Sequence, residues 1–142
     1  MLEGFRHIHR RRVELCDTDM IGHVNNLAYL RWCETARCDY FADVLGGAID
    51  SHQGLIQARI VFDYERQVEY RDYVSIGCRI GRIGTKSFDF DYVLYNETRG
   101  EECGRGTAVV VAYDYDTQTT IAVPEAWRRA VAAFETESLP AP

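Results

Sequence analysis

From Ile60 onward the chain alternates apolar and polar residues with a period of two, while one stretch near its front repeats at helical spacing instead. Ile60, Phe62, Tyr64, Val68 and Tyr70 interleave with Asp63, Glu65, Gln67 and Glu69, which predicts a strand with one buried face. Val74, Ile76, Cys78 and Ile80 predict a further strand; Phe88, Phe90, Tyr92 and Leu94 another; and the valine-rich run Thr107 to Tyr115 a last one. The breaks at Arg71-Asp72, Gly81 to Thr85 and Asn96 to Gly100 are short and turn-like, so these strands connect as antiparallel neighbours.

The earlier part reads differently. Phe5 to Leu15 alternates loosely around Arg10-Arg11-Arg12 and predicts a first strand. After a loop, Asn25 or Asn26 can cap a helix that runs to about Leu45 and stops at Gly46-Gly47. Leu30, Cys33, Arg37, Phe41 and Val44 share one helical face, widened by Tyr29, Trp32, Ala36 and Tyr40. So wide an apolar arc predicts a helix packed into a core rather than laid on a surface. Pro124 opens a last short helix carrying Trp127, Val131 and Phe134 on one side, and Thr136 to Pro142 is expected to be a flexible tail. The order is strand, long helix, four antiparallel strands, short helix. It predicts an α+β fold in which a five-stranded antiparallel sheet wraps one long helix. Residues 1–135 are expected to form one domain, because 142 residues suit one core.

Composition narrows the function classes. A hydrophobic share of 46% argues against disorder, and the net charge of −6 argues against a nucleic-acid partner. The longest apolar run, near Thr107 to Tyr113, is far short of the roughly 20 residues of a membrane span. Met1-Leu2-Glu3-Gly4 lacks the apolar core of a signal peptide, so the expected location is cytoplasmic. Five scattered cysteines without a C-x-x-C predict reduced thiols rather than disulfides or a zinc site.

The chemistry is concentrated between Cys16 and Asn26, where Asp17, Asp19, Gly22, His23, Asn25 and Asn26 crowd against the helix start. Either aspartate could simply cap a turn or the helix. Asn25 and Asn26 already supply caps, however, which frees an aspartate to act as nucleophile or as base toward water. The helix start supplies unpaired N–H groups and partial positive charge, where an oxyanion can be held. Gly22 permits a turn or a close approach of ligand, and His23 is either a structural loop residue or a proton-transfer partner.

Other groupings are weaker. His7, His9, His23 and Asp19 lack a recognisable metal-ligand spacing, so neither metal nor cofactor is expected. Cys16 or Cys33 beside His23 is a conceivable pair, but Cys33 lies on the apolar helix face, where thiols are inert. Glu34 and Arg37 fit a structural pair or a subunit contact, with a catalytic Glu34 as the minor alternative. Lys86, beside Gly84-Thr85 and Ser87, is the best candidate for a phosphate contact.

The run V-E-L-C-D-T-D-M-I-G-H-V-N-N-L-A-Y-L-R-W-C-E-T-A-R from Val13 to Arg37 resembles hotdog-fold acyl-CoA thioesterases of the 4-hydroxybenzoyl-CoA thioesterase type. The distinctive part is D-T-D-x-x-G-H-V-N-N-x-x-Y with a following E-x-x-R. The element order fits too, as do R-I-V-F-D-Y-E-R-Q-V-E-Y-R-D-Y-V and G-T-K-S-F-D-F-D-Y. Acyl-carrier-protein thioesterases of plant type carry a similar D-x-x-x-H-V-N-N-x-x-Y, which leaves the carrier open.

The resemblance implies a hotdog fold, active sites at a homodimer interface, and dimers that pair into homotetramers. It implies Asp19 as the catalytic carboxylate and a backbone N–H at about Asn26 polarising the thioester carbonyl. His23 is the candidate assistant. Asp17, Gly22, Asn25 and Tyr29 then shape or touch the substrate, and Lys86 and Ser87 lie near the CoA tail. A hydratase acting on acyl thioesters and a non-catalytic acyl-thioester-binding subunit are the competing expectations.

Overall fold

The computed structural model describes residues 2–46 and 52–136. Strand β1 (His7–Arg12) leads through a 3-10 turn (Leu15–Asp17) to helix α1 (Asn26–Val44). Strands β2 (Gln53–Tyr64), β3 (Tyr73–Ile83), β4 (Ser87–Asn96) and β5 (Glu101–Asp114) follow, then the two-residue β6 (Thr119–Thr120) and helix α2 (Glu125–Thr136). The five main strands pair antiparallel in the order β1-β3-β4-β5-β2, and β6 adds to β5. This is the α+β hotdog fold, its sheet curled around α1.

Why the sheet closes on the helix is clearest in β4. Phe88, Phe90, Tyr92 and Leu94 are buried at alternate positions, facing the same core as Trp32, Ala36 and Tyr40 of α1. Each such side chain contributes on the order of 1.5–3 kcal/mol when taken from water. The rings meet edge-on: Tyr40 lies 5.5 Å from Phe90 and 5.6 Å from Phe134, so α2 closes the far end of the same core. Buried Glu135 anchors that closure, accepting hydrogen bonds from the Tyr40 hydroxyl (2.6 Å) and the Ile80 N–H (3.0 Å).

Several boundaries differ from the sequence expectation. The predicted strand Ile60 to Tyr70 is displaced: β2 begins at Gln53 and ends at Tyr64, with a register shift between Gln57 and Arg59 that hides its early alternation. Val68 is fully buried yet sits in the loop beyond β2, where burial rather than strand geometry explains its apolar character. β5 starts earlier than expected, because Gly104 and Gly106 leave room for Phe62; a Cβ at either would come within 2.8 and 2.7 Å of its ring. β1 is shorter than Phe5 to Leu15, its end consumed by the 3-10 turn.

The helix capped at Asn25 is present, but its buried face is Ala28, Tyr29, Trp32, Cys33, Ala36, Tyr40 and Phe41. Leu30, Arg37 and Val44 of the expected arc are only half-buried, and Ala28 is buried in addition, so the arc is shifted slightly from the expected one. Gly46 has φ +76, as a helix-ending glycine requires; Thr136, the first residue of the expected tail, is the last residue of α2, and Gly47 and residues 137–142 lie outside the described residues. Among the described residues no helix is long and apolar enough to cross a membrane.

Candidate active site

The acid loop is built from consecutive local hydrogen bonds. Asp17 Oδ2 accepts from the Glu14 N–H at 2.9 Å, closing the 3-10 turn, and Thr18 Oγ1 donates to Leu15 O at 2.7 Å. The chain then reverses: the Asp19 N–H donates to His23 O (2.9 Å) and the Gly22 N–H to Asp19 O (3.2 Å). Gly22 takes φ +90 to make this reversal, and a Cβ there would meet nothing within 4 Å, so its role is conformational rather than spatial. Asn25 caps α1, its side chain accepting from the Leu27 N–H at 2.9 Å.

The two aspartates are separated in role by this geometry. Asp17 is 3% exposed, and its carboxylate faces Arg31 Nη2 at 3.3 Å and Arg11 Nη2 at 3.5 Å. Its carbonyl also accepts from the Asn25 N–H at 2.8 Å, so Asp17 couples the loop to the helix start. Asp19 is exposed; Oδ1 accepts from the Ile21 N–H at 2.8 Å, and Oδ2 has no partner among the described residues. The Asn26 N–H likewise meets no acceptor among the described residues, which leaves it an orphan donor at the helix start.

Asp19 and Asn26 both line one cavity of about 420 Å³, with Ile21, His23, Val24 and Tyr29 from the motif. Its remaining wall is Tyr64, Glu65, Arg66 and Gln67. Tyr29 is buried and donates its hydroxyl to Arg66 O at 3.1 Å, joining the two walls; burial pushes that hydroxyl up to about 12. Tyr64 donates its hydroxyl to Asn26 O at 3.3 Å.

The structure thus brings Asp19, His23, Asn26 and Tyr29 together, with Gly22 and Asn25 shaping the loop and Asp17 beneath it. Lys86 and Ser87 are not brought there within one chain. Ser87 pairs with Val111 whereas Tyr64 pairs with Gly104, which places them about 23 Å apart along β5. Lys86 Nζ instead reaches Thr120 Oγ1 at 3.4 Å.

Sequence reasoning missed Tyr64 to Gln67 because the period-two pattern carried the strand through them. The polar run Glu65-Arg66-Gln67 was the available signal of a loop.

The other groupings resolve elsewhere. His7 and His9 pair with Asp43 (3.0 Å) and Asp39 (2.8 Å) across β1 and α1, away from His23. Cys33 is fully buried and its thiol is pushed up to about 12 by burial, which suits no nucleophile. Glu34 lies 3.8 Å from Arg37, whose Nη1 donates to Gln57 Oε1 at 2.7 Å. A larger depression of about 560 Å³ on the outer sheet face pairs Arg79 with Asp91 and Arg105 with Glu102, and Glu3 and Asp63 also line it. No residue of the Asp17–Asn26 motif and no helix N-terminus lines it.

Comparison with known proteins identifies the family. The profile described as "Thioesterase-like superfamily" matches residues 13–131. A thioesterase of Thermus thermophilus, solved in complex with coenzyme A and Zn, is 30% identical, with a TM-score of 0.83 over 96% of this chain and 99% of that one. The PA5185 protein of Pseudomonas aeruginosa PAO1 is 27% identical, with a TM-score of 0.83 over 92% of each chain. The uncharacterized protein YsmA of Bacillus subtilis is 28% identical over 108 residues, 76% of this chain and 73% of its own length. With the family profile matching most of its length and the hotdog architecture intact, the chain belongs to the thioesterase-like superfamily, as a hydrolase of acyl thioesters.

Proposed function

We propose that this protein hydrolyses an acyl-CoA thioester to the free acid and CoA, with Asp19 as the reacting carboxylate. The observation that carries this reading is that Asp19, with an unpartnered carboxylate oxygen, and Asn26, with an orphan N–H, line one cavity. The Thermus thermophilus relative solved with coenzyme A supports CoA as the carrier.

In this mechanism the thioester carbonyl oxygen accepts from the Asn26 N–H, at the positive end of α1. Asp19 then follows one of two routes. It attacks the carbonyl carbon, expelling the thiolate and leaving an acyl–aspartyl anhydride that water opens. Alternatively it takes a proton from a water that attacks, and the tetrahedral intermediate collapses with loss of thiolate. A thiol pKa of roughly 8.5 makes this leaving group undemanding, so no strong acid is needed. His23, whose ring has no hydrogen-bond partner among the described residues, is the assistant at the cavity wall.

A homodimer is part of the proposal. Among the described residues β2 is one of the two terminal strands and pairs only with β5, which leaves a 12-residue edge open beside exposed Leu27, Ile56 and Val61. Light scattering at micromolar concentration tests it.

The functional test is release of free thiol from a panel of acyl-CoAs differing in length and ring content, with acyl-carrier-protein thioesters alongside. Turnover of at least one acyl-CoA is expected. Turnover of carrier-protein substrates alone would replace the carrier, and binding of acyl-CoA without thiol release would make the protein a non-catalytic subunit.

A further inference from the structure

Besides its internal hydrogen bonds, the acid loop is tied at both ends to one turn from a different part of the chain. At the entry, Val13 and the Glu69–Asp72 turn exchange backbone hydrogen bonds, the Val13 N–H to Asp72 O (2.8 Å) and the Arg71 N–H to Val13 O (3.2 Å). At the exit, the Val24 N–H donates to Val68 O at 2.8 Å, and His23 forms a β-bridge with Glu69. The segment carrying Asp17, Asp19 and Gly22 therefore lies between two attachments to residues 68–72, with Asp17 also held by Arg11 and Arg31.

That turn is itself held by one carboxylate. Asp72 is buried, and its Oδ2 accepts from Asn96 Nδ2 at 2.8 Å, from the Glu69 N–H at 3.0 Å and from Arg99 Nε at 3.2 Å. Arg99 also pairs with Glu69 Oε2 at 2.9 Å and donates its backbone N–H to Asn96 Oδ1 at 3.2 Å, closing the network around the turn. Arg71 meanwhile takes φ +73, a left-handed conformation that a non-glycine residue adopts only where its surroundings impose it.

We propose that Asp72 is a positioning residue for hydrolysis: its carboxylate fixes the 69–72 turn, and the turn holds the Asp19 loop at both ends. The proposal rests on Asp19 acting as the reacting carboxylate. Asp72 lines no part of the Asp19 cavity and touches no substrate there. Its influence is geometric, through Val13 on one side and His23–Val24 on the other. Misplacement of a reacting group by about 1 Å can cost on the order of 10²-fold in rate, so a modest loosening of this turn is measurable.

The test compares Asp72→Ala with Asp72→Asn, which keeps an oxygen where the three donors converge. Asp72→Ala is expected to lower kcat by about 10-fold with KM changed by less than about 3-fold, and Asp72→Asn to restore most of the loss. Amide hydrogen exchange should accelerate in residues 13–25 and 65–72 of the Ala variant while β3, β4 and β5 keep their protection. A folded Asp72→Ala variant with wild-type kcat, or one whose exchange rises uniformly, overturns the proposal. If Asp72→Ala does not fold, Arg99→Gln decides: loss of its bonds to Asp72 and Glu69 should produce a smaller kcat loss with the same local exchange pattern, and wild-type values of both overturn the proposal. The exchange measurement needs no substrate, so failure of wild-type protein to hydrolyse any thioester would sink the functional reading while leaving this pattern separately testable.

Discussion

The backbone N–H of Asp19 donates to the carbonyl of His23 at 2.9 Å, so the acid and the histidine of the motif are locked into one tight reversal. Five residues thereby behave as a unit. The reversal leaves one Asp19 oxygen unpartnered and delivers the chain at Asn25 for the cap of α1. Substitutions in this unit separate stability from chemistry.

Asp17→Ala should damage the fold rather than the reacting group. It leaves the Glu14 N–H without its acceptor and Arg11 and Arg31 without their anion. A fully buried ion pair costs about 3–5 kcal/mol to break, but the Arg31 side chain is 54% exposed, so about 2 kcal/mol is expected. Urea unfolding measures it; a loss below about 0.5 kcal/mol would contradict the structural role.

Gly22→Ala meets no steric obstacle, yet it forces an alanine to φ +90. The expected loss is on the order of 1–2 kcal/mol, with a milder effect for Gly22→Asn because asparagine tolerates positive φ better. Equal stability of the wild type and Gly22→Ala would show that the loop can close without the left-handed residue.

Asp72 sets an acid limit on stability. Burial alone would raise its pKa, but hydrogen bonds from the Glu69 N–H, Asn96 and Arg99 outweigh that and hold the carboxyl below its usual range. A depressed native pKa contributes stability that is present above about pH 4 and disappears as pH falls through the native value. The difference in Tm between wild type and Asp72→Asn should therefore shrink from pH 6 toward pH 2. A constant difference across that range would mean that the charge of Asp72 carries none of it.

Thiol reactivity should follow burial. Cys16 and Cys38 are exposed, while Cys33, Cys78 and Cys103 are fully buried. Burial pushes Cys33 and Cys103 up to about 12 and Cys78 higher than its usual range. An aromatic disulfide reagent should modify Cys16 readily and the three buried thiols only after unfolding. Rapid native labelling of Cys33 would show that α1 packs less tightly than described. The same titration supplies the background for any thiol-release measurement on this protein.

How much of this was readable in advance depended on chain distance. Asp19, His23, Asn25 and Asn26 are neighbours in sequence, and local turn and cap chemistry is enough to place them on one junction. The opposite cavity wall, Tyr64 to Gln67, arrives from about 40 residues away, through a sheet whose β1 and β2 stand at opposite edges. Nothing local announces that approach. Val68 misled for a related reason: it is apolar because it plugs the core beside Val24, not because it continues β2. Of the predicted helix face, Tyr29, Trp32, Cys33, Ala36, Tyr40 and Phe41 are buried, and only Leu30, Arg37 and Val44 are half-buried, because amphipathic spacing alone does not mark where the arc ends. Lys86 and Ser87 are read as lying near the CoA tail rather than beside Asp19, and register puts them about 23 Å along β5 from Tyr64 within one chain.

The most direct test of the central claim is kcat for thiol release by Asp19→Asn on the best acyl-CoA from the panel. Asp19 is exposed and asparagine can still accept from the Ile21 N–H, so Tm should move by no more than a degree or two. Loss of a reacting carboxylate should lower kcat by about 10²-fold or more. A folded Asp19→Asn enzyme that keeps wild-type kcat would contradict the account.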